Sequence, residues 1–88
     1  MTETSINYAK ALYELSVPEE AVLETEKIFR STPQLKGTLE NPLVSLKEKE
    51  HVIDRVFPQE MKNFLKITCK YQKISSIEEI LEAYGDYS

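Results

Sequence analysis

The chain has 88 residues, 41% of them hydrophobic, with a net charge of −4 and one cysteine, Cys69. That length holds one small domain, and the hydrophobic share suits a folded globule rather than a disordered segment. The sequence excludes an internal disulfide and a Cys-cluster zinc site, any helical membrane span and wholesale phosphate binding; with no basic and apolar leader at its N-terminus, a reducing, cytoplasmic setting is expected.

No run alternates strictly with period two, so an all-α fold is expected, with helices punctuated by proline and serine. The first helix spans about Thr4 to Ser16. At 100° per residue, Ile6, Ala9, Leu12, Tyr13 and Ser16 form a core stripe, and Tyr8, Ala11 and Leu15 form a second stripe beside it. One stripe suffices for one neighbour, so two stripes imply a second contact, either with another helix of the bundle or with a partner.

A second helix starts at Pro18 and reaches about Arg30, with Glu19 and Glu20 in its first turn, where negative charge suits the dipole. Its core face is Ala21, Val22, Thr25, Ile28 and Phe29. Thr32-Pro33 restarts a short helix to about Leu39, and Asn41-Pro42 ends it, because proline disfavours helix in the residue before it. Ser45-Leu-Lys-Glu48 is a capping box opening a fourth helix, with Leu46, Lys49, Val52, Ile53 and Val56 on one side.

Pro58 starts a fifth helix, running to about Gln72. Its core stripe is Met61, Phe64, Leu65, Thr68 and Gln72; a different side carries Asn63, Ile67 and Tyr71; a third carries Lys62, Lys66 and Lys70. Ile67 is the odd residue, a bulky apolar group between core and lysines. Ser76-Ile-Glu-Glu79, a second capping box, opens a sixth helix with Ile77, Ile80, Leu81 and Tyr84 as its apolar stripe. The expected architecture is a single compact six-helix bundle over residues 1–88. Spare apolar surface on the first and fifth helices would make a groove for a third helix.

Little in the chain points to chemistry. His51, the only histidine, sits in a charged run on a face expected to be exposed. Cys69 borders the fifth helix's core stripe and reads as a small buried hydrophobe. There is no Gly-rich phosphate loop and no nucleophile elbow. The lysine row has no arginine in it and reads as a solvated face rather than a nucleic-acid patch. No catalytic residue, cofactor or metal site is expected.

Taken in order, Tyr8-Ala-Lys-Ala-Leu-Tyr-Glu-Leu15, Leu39-Glu-Asn-Pro42, Ser45 and Lys49, Val52-Ile-Asp-Arg-Val-Phe57, Asn63-Phe-Leu65, then Ile74, Ile77, Ile80 and Tyr84 resemble the N-terminal domain of the ATP synthase delta subunit family, whose mitochondrial counterpart is the oligomycin-sensitivity-conferring protein. The resemblance covers nearly the whole chain; its specificity lies in the joint order and spacing of mostly apolar positions. It implies a non-catalytic component of the peripheral stalk of the rotary, proton-translocating synthase. The domain would sit on the catalytic head and hold the N-terminal helix of an alpha subunit between its first and fifth helices.

By that correspondence Ala11, Asn63 and Ile67 fall at groove positions, and Tyr8, Leu15 and Tyr71 complete the expected partner-binding set. The family's C-terminal region, which would meet the stalk b subunits, is not in this sequence, and Lys70-Tyr-Gln-Lys73 stands where the family often carries an arginine. The chain is therefore expected to be one domain of a longer protein or a short gene product, placed peripherally at the cytoplasmic face of a bacterial membrane without inserting into it and without binding nucleic acid. The competing class is a helix-binding adaptor of another complex that reuses the same bundle.

Overall fold

The computed structural model describes residues 2–87, Tyr87 by its backbone alone. Six α-helices form among them, α1 Glu3–Glu14, α2 Glu19–Ser31, α3 Pro33–Glu40, α4 Leu46–Val56, α5 Gln59–Lys70 and α6 Ile77–Tyr87, with a 3-10 turn at Ile74–Ser76 leading into α6. There is no strand among the described residues, and the all-α bundle expected from the sequence is the fold.

Local chemistry sets the helix starts. Thr2 caps α1, its hydroxyl accepting from the Ser5 N–H at 3.1 Å. Ser45 caps α4 and accepts from the Glu48 N–H at 3.2 Å, the first half of the expected capping box. Pro18 and Pro58 stand one residue before α2 and α5, at the cap rather than inside the helix. Glu79 accepts from the backbone N–H of Thr2 at 2.6 Å and so joins α6 to the start of α1.

Two left-handed residues, neither of them glycine, set helix ends. Ser16 (φ 56°) follows α1 and Gln72 (φ 57°) follows α5. At α5 the Lys73 N–H donates to the Thr68 carbonyl at 2.7 Å and the Gln72 N–H to the Cys69 carbonyl at 3.1 Å, the paired bonds of a Schellman stop. These conformations correct two expected core positions. Ser16 and Gln72 turn out of their helices and are exposed.

The core joins Ala9 and Leu12 of α1, Ala21, Val22 and Phe29 of α2, Leu39 of α3, Ile53 of α4, Met61, Phe64, Leu65 and Cys69 of α5, and Ile77, Ile80, Leu81 and Tyr84 of α6. Phe29 and Phe57 meet with ring centroids 5.0 Å apart, closing the α2 side over the α4–α5 turn. Two threonines are buried at no hydrogen-bonding cost: Thr25 donates to the Ala21 carbonyl at 2.9 Å and Thr68 to the Leu65 carbonyl at 2.7 Å. The Tyr84 hydroxyl donates to the Val17 carbonyl at 3.3 Å, tying α6 to the α1–α2 turn.

The stripe expected for α1 is rotated. Ser5, Ala9 and Leu12 are buried, whereas Ile6 and Tyr13 leave about half of their surface open. The reason is the close packing of α1 along α6: the small Ser5 permits that approach, and its hydroxyl is satisfied by Thr2 at 3.0 Å. Leu46 and Val56 of α4 are also more exposed than expected, because α4 packs chiefly on one neighbour, α5, which buries a narrow arc.

Candidate functional site: a cleft between the first and fifth helices

The backbones of α1 and α5 stay apart over most of their length, since α1 lies along α6 and α5 lies along α4. Side chains span the gap. Tyr8 of α1 meets Phe64 of α5 edge to face, with ring centroids 6.3 Å apart. Toward the end of α1 the gap opens into a cleft of about 260 Å³ lined by Leu15, Ser16, Val17, Pro18, Glu60, Asn63 and Phe64. Leu15, just after the end of α1, therefore faces the start of α5.

All six positions expected to bind a partner lie on the outside of the core or at its edge. Tyr8 is half-buried against the core cluster, while Ala11 and Asn63 are exposed. Leu15, Ile67 and Tyr71 leave 59%, 45% and 58% of their surface open, too much for internal packing residues. Leu15 and Asn63 share the cleft, and Tyr8 contacts its Phe64 floor. Ala11, Ile67 and Tyr71 do not line the enclosed part; they lie on the helix flanks beyond it.

Sequence reasoning missed Glu60 and Phe64 as lining residues. The apolar stripe places Phe64 wholly in the core, and it is buried, yet it also lines the cleft. The signal for Glu60 was its position one helical turn before Asn63 and Phe64.

The lysine row divides. Lys66, half-buried, donates to Asp54 of α4 at 2.7 Å, and this bond holds the Asp54 carboxyl below its ordinary value. Lys66 is thus committed to the α4–α5 contact rather than freely solvated. Lys70 is exposed and places its ammonium 5.6 Å from the centre of the Tyr71 ring, within cation–π range. The acidic start of α6 pairs with α3 through Lys36 and Glu78 at 3.3 Å.

A larger cleft of about 380 Å³ lies between α2 and α6, lined by Glu26, Phe29, Arg30, Glu78, Leu81, Glu82 and Gly85. Its apolar residues, Phe29 and Leu81, are themselves core, which leaves a charged rim and little free apolar surface for a helix. A third, of about 270 Å³, has Cys69 among its lining residues. That thiol is buried, as expected, and burial pushes its pKa up to about 11, the opposite of an activated nucleophile. His51 is exposed. No group of three or more metal-ligating side chains comes together among the described residues, and none of their helices is long and apolar enough to cross a membrane.

The architecture is that of a small helical bundle carrying an open, largely apolar cleft between the α1–α2 turn and the start of α5. The chain belongs to the ATP synthase delta (OSCP) subunit family, whose model matches residues 5–88; the family is one of structural, non-catalytic subunits. Among curated relatives it is 33% identical to the ATP synthase subunit delta of Clostridioides difficile (strain 630), over 90% of this chain and 50% of that one. It is 28% identical to the chloroplastic ATP synthase subunit delta of Trieres chinensis, over 88% of this chain and 47% of that one. The chain spans about half the length of the curated relatives it matches. No solved structure matches.

Proposed function

We propose that this domain is a non-catalytic docking part of the peripheral stalk of a rotary, proton-translocating ATP synthase, holding the N-terminal helix of an alpha subunit between α1 and α5. The family supports the complex. The observation that supports the site is the exposure of Leu15, just after α1, and of Ile67 and Tyr71, on and just after α5, while α1 lies along α6 and α5 along α4.

An amphipathic helix laid there would cover those three side chains and gain roughly 25 cal/mol for each Å² of apolar surface buried. Ala11, small and exposed, would let its backbone approach α1, and Asn63 would offer an amide at the rim to fix register. A contact with stalk b subunits would belong to the family's C-terminal region. In the assembled complex the domain would lie peripherally at the cytoplasmic face of a bacterial membrane.

Calorimetric titration with a peptide of the first ~20 residues of the alpha subunit from the same organism, long enough to form a helix of about 30 Å, tests this reading. One-to-one binding that is lost in Ile67→Asp is the expected result. No binding to the folded, monomeric domain would remove the alpha-subunit assignment and bring forward a helix-binding adaptor of another complex.

A further inference from the structure

We draw no further inference here: the strongest candidate, the cleft between α2 and α6 where Glu26, Arg30, Glu78 and Glu82 rim the core side chains Phe29 and Leu81, is an acidic cluster over a floor already packed into the bundle, and nothing in the structure shows what covers it.

Discussion

Ile67 offers the sharpest separation of docking surface from core. It is 45% exposed, which for a side chain of its size leaves roughly 80 Å² of apolar surface, and covering that surface is worth about 2 kcal/mol. Losing it weakens binding about 30-fold, since 1.4 kcal/mol is a factor of ten. Aspartate adds a carboxylate that the partner would desolvate without a hydrogen bond, a further ~1–3 kcal/mol. Ile67→Asp should therefore weaken peptide binding at least about 100-fold while lowering domain stability by no more than about 1 kcal/mol, the scale of an exposed helical substitution.

Calorimetry gives the first number, and urea unfolding followed by far-UV circular dichroism gives the second. Leu65→Asp is the control: Leu65 is fully buried two residues away on the same helix, and that variant should not fold. Native-like affinity in Ile67→Asp, or unfolding comparable to Leu65→Asp, would refute the argument, the first by removing Ile67 from the groove and the second by placing it in the core.

Further outcomes follow from the same packing. Leu12→Ala, at a fully buried position between α1 and the rest of the bundle, should cost about 2–5 kcal/mol in urea unfolding. That loss is large against the few kcal/mol of net stability expected for a core of this size. Gln72→Gly should stabilise the domain by about 1 kcal/mol, because glycine removes the Cβ strain at φ 57° while keeping the Schellman bonds. For a chain of this length that is about 5 °C in Tm by calorimetric scan. Cys69 should also produce an alkaline loss of stability. Its folded pKa, about 11, lies above the ordinary thiol value of 9.0, so the folded state retains a proton that the unfolded chain releases. Its contribution is fully present below pH 9 and is lost as pH rises toward 11, by on the order of 2 kcal/mol. Unfolding curves that decline equally in Cys69→Ala over that range would contradict this.

Much of the bundle was legible in the chain because its signals are local. Ser45 three residues before Glu48, Pro18 and Pro58 before their helices, and Asn41-Pro42 after α3 act through backbone chemistry within a turn, and the helix boundaries fall within one or two residues of those marks. The core faces of α2, α5 and α6 followed from 3.6-residue periodicity, since each of these helices presents one broad apolar arc. The exposed apolar side chains of the proposed groove were legible for a related reason. Bulky residues such as Ile67 and Tyr71 stood outside the core arc of α5, and that is a property of spacing alone.

The remainder depended on which helices lie against which. The true core arc of α1, turned toward Ser5 and away from Ile6 and Tyr13, was set by its close approach to α6, a contact between opposite ends of the chain. The commitment of Lys66 to Asp54 and the use of Glu79 to hold Thr2 are likewise long-range choices. The left-handed stops at Ser16 and Gln72 carry no glycine signal; the tertiary fold holds two ordinary residues in a conformation they do not favour alone. Sequence determined where the helices begin and which residues are too apolar for water. Only the tertiary structure decided which of those residues other helices cover and which, with α1 and α5 held apart by their other neighbours, remain open on the cleft. Burial depends on distance in space, and local periodicity carries no information about that distance.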